Sequence, residues 1–238
     1  MSLKGKKIVI TGGSSGIGLA TARALANWEA EVIIAGRTVP KLEQAKQSLG
    51  PRAAAAPLDV TREPDVKRAF ENIGPFDHLI TAASGVAMGA FREIDTAAAR
   101  ELFESKFWGQ YLCAKHAAGR LRPGGSIVLF SGIASRKPMA GLSTYAAIDG
   151  AIESLARTLA LELAPIRVNV VTPGVIETPA WDGMPEPVRR AQLDAIAASL
   201  PVKRVGTPDD VAKTVLYLLD NEFMTGAIVD VDGGHRVI

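Results

Sequence analysis

Short apolar segments alternate with longer helical patterns from one end of this chain to the other. The strand candidates are Lys7–Thr11, Glu31–Ala35, Ala53–Pro57, His78–Ala82, Ser126–Ser131, Arg167–Thr172 and Ala227–Val231. Several of them are rich in Ile and Val without polar alternation, as expected for parallel strands buried on both faces. The helical patterns between them are Ile17–Trp28, Lys41–Leu49, Pro64–Ile73, Ala97–Arg120, Thr144–Ala164 and Asp209–Leu219. This alternation predicts parallel strands connected by helices.

The expected architecture is therefore an α/β fold: a doubly wound, Rossmann-like parallel sheet of about seven strands with helices on both faces. The 238 residues suffice for one sizeable core, and no linker, repeat or low-complexity segment divides them. We predict a single domain over residues 1–238. The segment Pro179–Pro187, with three prolines and one glycine, is interpreted as a loop inserted in that domain.

The charge balance and the cysteine content argue against several classes of partner. The chain has 27 basic and 25 acidic residues, which is too even for nucleic acid or an anionic membrane to be the main partner. No run of 18 or more apolar residues occurs, so no membrane span is expected. Cys113 is the only cysteine, which fits a reducing compartment, and the three histidines show no metal-ligand spacing with it. We expect a cytoplasmic protein without a metal.

The first strand leads directly into a glycine-rich turn. Lys7–Ile10 is followed by Thr11–Gly18 and then by a helical pattern. A dinucleotide pyrophosphate needs this order, because glycines let the backbone approach the phosphates and the helix N-terminus offers free N–H groups at the positive end of its dipole. The alternative is a plain strand-to-helix turn. We expect cofactor contacts from Gly12, Ser14, Ser15, Gly16, Ile17 and Gly18.

The end of the second strand indicates which dinucleotide binds. Arg37 and Thr38 stand there. An acidic residue at this position would bind the ribose hydroxyls of NAD, whereas an arginine accommodates the extra phosphate of NADP, with which a guanidinium forms paired hydrogen bonds. The alternative is an ordinary solvated surface arginine. Because no acid occupies the strand end, we predict that the cofactor is NADP(H).

With these features the chain resembles the short-chain dehydrogenase/reductase family over essentially its whole length. Thr11–Gly18 matches the family's TGxxxGIG turn, and Arg204–Ala212 and Thr225–Gly234 are similar to its two C-terminal signatures. The resemblance implies further cofactor contacts along the chain: adenine contacts after the third strand, backbone contacts after the fourth, and a nicotinamide contact through the threonine of the PGxxxT segment. The corresponding residues are Asp59, Val60, Ala82, Ala83, Pro173, Gly174, Ile176 and Thr178.

The catalytic positions depart from the family's pattern. Its YxxxK motif is here Tyr145 followed by Asp149, an acid where lysine belongs. Gly132 stands thirteen residues before Tyr145, where the family usually has its serine, and Lys106 stands where it has an asparagine. Of the usual Asn-Ser-Tyr-Lys set, only the tyrosine is in place. The neighbouring Ser131 is a candidate donor to the carbonyl oxygen of a substrate.

Lys106 and Asp149 suggest a rearranged charge pair. Helical periodicity places Asp149 on the same face as Tyr145, and it places Lys106 on an apolar stripe of its own helix. Unpaired buried charges are costly, and in the family these two positions lie near each other. We hypothesise that the ammonium group that lowers the pKa of Tyr145 now belongs to Lys106, with Asp149 holding it in place. The alternative is a degraded site in which both charges are solvated.

The predicted function is an NADP(H)-dependent oxidoreductase that acts on a carbonyl/alcohol pair, such as a ketone, an aldehyde or a quinone, with Tyr145 as acid/base. The alternative is a cofactor-binding sensor or regulatory protein without this chemistry. Trp181 and Met184, on the proline-rich loop, indicate either an apolar substrate or packing against their own segment. Because the family commonly packs the helices of Lys106 and Tyr145 at a subunit interface, a homodimer or homotetramer is expected.

Overall fold

The computed structural model of the chain describes residues 3–238. Its strands are β1 (Lys7–Thr11), β2 (Glu31–Gly36), β3 (Ala53–Pro57), β4 (Phe76–Thr81), β5 (Leu121–Phe130), β6 (Arg167–Pro173) and β7 (Ile228–Val231). Its α-helices are α1 (Gly16–Asn27), α2 (Val39–Leu49), α3 (Glu63–Ile73), α4 (Thr96–Leu102), α5 (Gly109–Ala118), α6 (Ser143–Glu162), α7 (Glu186–Ser199) and α8 (Pro208–Asp220). A π-helical turn, Phe103–Trp108, joins α4 to α5, and short 3-10 turns occur at Ile133–Ser135, Pro179–Trp181 and His235–Val237.

The strands form one sheet in the order β3-β2-β1-β4-β5-β6-β7, and every neighbouring pair is parallel. The predicted doubly wound α/β sheet is thereby confirmed. The chain moves outward from β1 to β3 and then returns to place β4 on the other side of β1. Loops therefore diverge between the carboxyl ends of β1 and β4, which opens a crevice at that edge of the sheet.

Apolar side chains cover both faces of the sheet. On one face, α3, α5 and α6 contribute residues such as Phe70, Cys113 and Ile152 to a buried cluster. On the other face, α1, α2 and α8 contribute residues such as Leu25 and Val215 to a second cluster. The central strands β1, β4 and β6 were recognisable as apolar runs because both of their faces are buried in this way.

The long helix predicted over Ala97–Arg120 is interrupted, so that prediction was wrong in this respect. Between α4 and α5 the backbone adopts the π-helical turn, in which the N–H of Gly109 donates to the carbonyl of Glu104, five residues earlier. Periodicity did not reveal the interruption because a single π turn adds only one residue per turn. It matters for function because the turn contains Lys106.

The proline-rich segment is more ordered than the predicted loop. Pro179–Trp181 forms a 3-10 turn, and α7 begins at Glu186 within the segment. The sequence did not reveal α7 because Leu193 is its only fully buried residue, and a helix without an apolar stripe gives little periodic signal. Within residues 3–238, no helix combines the length and apolar character that crossing a membrane would require.

Candidate active site

A cavity of about 500 Å³ lies at the carboxyl edge of the sheet, next to the reversal of strand order between β1 and β4. Ligands of open α/β sheets bind in crevices of this kind. Its walls are formed by the turn after β1, the segments that follow β2, β3 and β4, and the start of α6. The structure brings together there fourteen of the predicted residues: Gly12, Ser14, Ser15, Gly16, Ile17, Gly18, Arg37, Thr38, Asp59, Val60, Ala82, Ala83, Tyr145 and Thr178.

The glycine turn is shaped by close backbone contacts. A Cβ atom on Gly12 would lie 2.6 Å from the backbone nitrogen of Ala83, and one on Gly18 would lie 2.2 Å from the carbonyl oxygen of Gly12. Side chains at these positions are therefore excluded. Helix α1 begins at Gly16 and, within the described residues, no side chain caps its N-terminus. Its first N–H groups are thus free for an anion, so the turn fits a dinucleotide pyrophosphate.

Two cations stand at the end of the cavity next to β2. Arg37 follows β2 directly, Lys41 lies in the first turns of α2, and both line the cavity with exposed side chains. The sequence interpretation included Arg37 and missed Lys41, which lies four residues later at the start of α2. In the segment that follows the neighbouring strand β3, the carboxylate of Asp59 is oriented by the backbone N–H and hydroxyl of Thr61, at 3.0 and 2.7 Å. This end therefore combines positive charge with a fixed hydrogen-bond acceptor.

Tyr145 lies at the opposite end of the cavity, on the first turn of α6. Its hydroxyl donates to the carbonyl oxygen of Gly85, 3.2 Å away. Ser105 holds the same residue from the other side, since its Oγ accepts from the Gly85 N–H at 3.1 Å. Ser105 and Gly85 also line the cavity, and neither was predicted. No motif identified them, because their role depends on contacts between segments twenty residues apart.

Lys106 and Asp149 form a buried ion pair directly behind Tyr145. The ammonium Nζ contacts Oδ1 of Asp149, and the two residues are only 7% and 1% exposed. The same Nζ lies over the ring of Tyr145, 4.9 Å from the ring centroid, within the range of a cation–π contact. Neither residue lines the cavity. The structure therefore places the three side chains together, as the hypothesis requires, with the pair shielded from solvent.

The pKa of Tyr145 shifts in the direction opposite to the one that the hypothesis requires. Burial, followed by the charge of Asp149, raises the pKa of Tyr145 above its usual value, against the lowering effect of a backbone hydrogen bond at Ala87. The expected lowering by the Lys106 ammonium is not found, whereas the charge of Asp149 acts in the opposite direction and raises the pKa of Tyr145. Burial also lowers the pKa of Lys106 and raises that of Asp149, while their mutual attraction opposes both shifts.

Ser131 is directed away from the cavity. Its hydroxyl donates to the buried carboxylate of Glu153 at 3.0 Å and lies 3.3 Å from the carbonyl oxygen of Asp149. Arg136 lies 3.3 Å from the same carboxylate, which therefore has several partners. This geometry gives Ser131 a structural contact with Glu153, which lies one helical turn after Asp149 on α6. It does not bring the hydroxyl to the position of a substrate carbonyl.

Three predicted cofactor residues lie outside the cavity wall, namely Pro173, Gly174 and Ile176. Gly174 faces Asp232, since a Cβ atom there would lie 2.7 Å from its Cα, and Ile176 bridges to Gly206. Together they hold the segment that ends at Thr178. The indole nitrogen of Trp181 donates to the carbonyl of Ile176 at 3.0 Å, so this tryptophan contacts its own segment. In residues 3–238, no three His, Cys, Asp or Glu side chains are arranged to hold a metal ion.

The chain is similar to known proteins over almost its whole length. Residues 12–236 match a family model described as enoyl-(acyl carrier protein) reductase. The cis-4-hydroxycyclohexanecarboxylate dehydrogenase of Sinomonas cyclohexanicum is 36% identical, covering 97% of this chain and 96% of that protein. The chloroplastic NADPH-dependent aldehyde reductase 1 of Arabidopsis thaliana is 31% identical, over 98% of this chain and 86% of its own. A small-chain dehydrogenase solved in complex with NADPH superposes with a TM-score of 0.88 at 39% identity, covering 99% and 100% of the two chains.

Proposed function

We propose a specific reaction for this chain, which belongs to the short-chain dehydrogenase/reductase family of oxidoreductases: the NADP(H)-dependent reduction of a small carbonyl compound to an alcohol. The observation that carries the proposal is that the glycine turn and Tyr145 line one and the same cavity. A dinucleotide held by that turn and extended along the cavity would reach Tyr145. Ketones, aldehydes and quinones are the candidate substrates.

The preference for NADP(H) rests on charge. Arg37 and Lys41 would face the adenosine end of the cofactor, where both cations can pair with an additional phosphate. Relatives of this chain support the choice, since one was solved with NADPH and another is named for its dependence on NADPH. When bound, the nicotinamide supplies the hydride that is transferred to the carbonyl carbon. Thr178, which lines the cavity next to Gly16 of the glycine turn, would orient the nicotinamide.

Tyr145 supplies the proton. As hydride reaches the carbonyl carbon, the oxygen gains negative charge and takes the proton of the phenol, which is then restored from solvent. Because the pKa of Tyr145 is raised, the hydroxyl remains protonated near neutral pH, which favours the direction of carbonyl reduction. The substrate oxygen has to replace the carbonyl of Gly85 as the acceptor of this hydrogen bond.

Lys106 and Asp149 are positioning residues in this proposal. The ammonium holds the face of the Tyr145 ring through a cation–π contact, and Asp149 fixes the ammonium and balances its charge. Since both lie behind the cavity wall, they act on the substrate only through the tyrosine. Ser131 is left out of the reaction because its hydroxyl is engaged with Glu153.

Steady-state NADPH oxidation against a panel of ketones, aldehydes and quinones tests the proposal, with NADH as the comparison cofactor. Tyr145→Phe is expected to lower kcat about 10²- to 10⁴-fold, as expected for loss of a general acid, while the affinity for NADPH is retained. A tight NADPH complex with no turnover on any carbonyl would contradict the proposal and favour the sensor, for which the comparisons give no support.

We also propose that the chain forms a homodimer or homotetramer and works in the cytoplasm. Trp108 is 42% exposed and makes edge-to-face contacts with Phe107 and Tyr111, so an aromatic surface flanks the ion pair. Large exposed aromatic side chains are typical of subunit interfaces. Sedimentation velocity at micromolar concentration tests the assembly, and a monomer throughout would contradict it.

A further inference from the structure

Gly132 is a glycine for reasons of space, since its backbone conformation does not require one. Its φ and ψ of −174° and 164° are extended values that any residue adopts. A Cβ atom at this position would, however, lie 2.6 Å from Oδ2 of Asp149 and 3.2 Å from its Cγ. Real Cβ atoms do not approach other atoms so closely. The missing side chain therefore leaves the volume that one oxygen of the Asp149 carboxylate occupies.

Neither partner of this close contact can move away easily. Asp149 is held through its other oxygen, Oδ1, which contacts Lys106, and its backbone carbonyl lies 3.3 Å from the Ser131 hydroxyl. On the other side, the Ser131 N–H donates to Val171 of β6 at 3.0 Å, and the Gly132 carbonyl accepts from the Ser135 hydroxyl at 3.0 Å. A side chain added at residue 132 would thus displace the carboxylate from Lys106.

We propose that Gly132 is a positioning residue of the site: the space left by its missing side chain lets Asp149 hold Lys106 against the Tyr145 ring. This inference rests on the proposed function, because it assigns a role in the same reaction. The three departures from the family's pattern, at Lys106, Gly132 and Asp149, are then explained together, because each residue depends on the next for its place in the site. The glycine is not a lost serine but the complement of the acid that replaced lysine.

The first test compares two alanine substitutions that lie close together. Gly132→Ala fills the space beside Asp149, whereas Gly150→Ala, on α6 and adjacent to Asp149 in sequence, meets no atom within 4 Å. We expect Gly132→Ala to lower kcat about tenfold or more, because small displacements in an active site are costly. Its NADPH affinity should change by less than about twofold. Gly150→Ala should leave kcat unchanged.

The second test is a thermal-unfolding cycle that does not depend on turnover. In the natural chain, Gly132→Ala should lower the Tm by about 5 °C, as expected for overpacking against the buried Asp149 side chain. In the Lys106→Met/Asp149→Ala background, where the carboxylate is gone and no unpaired charge remains, the same substitution should lower the Tm by less than about 2 °C. The difference measures the steric coupling of Gly132 to Asp149.

Restoring the family's residues provides a third readout. Gly132→Ser and Asp149→Lys should each abolish turnover, whereas the triple variant Lys106→Asn/Gly132→Ser/Asp149→Lys should be more active than either single variant. Equal Tm losses in both backgrounds, or an unchanged kcat in Gly132→Ala, would overturn the positioning role of Gly132. Absence of carbonyl turnover in the natural chain would instead overturn the proposed function, and the thermal cycle would still report the coupling.

Discussion

The two ends of the cavity are built in different ways. The end that fits the nucleotide consists of a backbone turn and exposed side chains, with Gly12 and Gly18 packed against main chain and Arg37 facing solvent. The end that contains Tyr145 depends on buried charges, Lys106 and Asp149, that come from different helices. The nucleotide end is built on a glycine turn of consecutive residues with exposed side chains beside it. The catalytic end depends on a contact between side chains 43 residues apart in the chain.

This difference governs how each end tolerates change. An exposed cation such as Arg37 loses little solvation when it acts and can be replaced without disturbing its neighbours. A buried ion pair is different, because each charge has given up its hydration and is stabilised only by its partner. We therefore expect substitutions at the nucleotide end to act singly on affinity. At the catalytic end they should act jointly on stability and rate.

The largest effect is expected from breaking the buried pair. Lys106→Met leaves the Asp149 carboxylate buried without its counterion, which should lower the free energy of unfolding by about 3–5 kcal/mol. The double variant Lys106→Met/Asp149→Leu removes both charges and should recover most of that loss, because apolar replacements of a buried pair are often neutral. Urea unfolding at pH 7 measures both variants.

An exposed pair provides the control for this comparison. Lys115 and Glu63 lie 2.8 Å apart on the surface, with about half of each side chain accessible. Because water screens such a pair, Lys115→Met should leave unfolding essentially unchanged. If Lys106→Met were as mild as Lys115→Met, the buried pair would not be the stabilising element at the catalytic end.

The next largest effect concerns pH. The raised pKa of Tyr145 keeps the phenol protonated below about pH 10, so kcat for carbonyl reduction should be level between about pH 6 and 9. The reverse reaction needs the phenolate, whose fraction grows tenfold per pH unit below the pKa, so alcohol oxidation should accelerate about 100-fold between pH 7 and 9. Stopped-flow measurement of hydride transfer in both directions provides the profiles.

A plateau in the rate of alcohol oxidation near pH 7 or 8 would contradict the raised pKa of Tyr145, because it would mean that the phenol already ionises there. It would show that the Lys106 ammonium dominates over burial and Asp149, as the sequence-based hypothesis expected. Tyr145→Phe provides the control, since any pH dependence that it retains belongs to other groups.

At the nucleotide end the expected effect is smaller and confined to affinity. Arg37→Gln should weaken NADPH binding about 10- to 100-fold, the equivalent of a charge-assisted hydrogen bond of roughly 1.5–3 kcal/mol. NADH binding and the unfolding free energy should be unaffected, because the Arg37 side chain is exposed. Fluorescence titration with both cofactors measures the difference, and Lys41→Gln shows whether the second cation contributes. An equal loss for NADH and NADPH would exclude recognition of the phosphate by Arg37.

The same difference explains what the sequence could reveal. The glycine turn and the sheet were predictable because each depends on local patterns: close-packed glycines after β1, and apolar runs buried on both faces of the sheet. The proximity of Lys106 and Asp149 could be inferred from two charges on apolar faces together with the family resemblance. The need for a glycine at residue 132 could not be inferred from the sequence. It depends on the distance between a Cβ atom at residue 132 and Oδ2 of Asp149, which only the folded chain defines.

The smallest effect on the rate is expected from Ser131→Ala. Because the hydroxyl donates to Glu153, which does not line the cavity, kcat should remain within about twofold, while the free energy of unfolding falls by about 1 kcal/mol, the usual worth of one hydrogen bond. Ser135→Ala is the matched control, since Ser135 donates to the same carboxylate oxygen and should behave alike. A 100-fold loss of kcat in Ser131→Ala, without loss of stability, would show that the hydroxyl reaches the substrate oxygen. The catalytic end would then use a hydroxyl donor as well as Tyr145, and the contrast between its buried pair and the exposed nucleotide end would be incomplete.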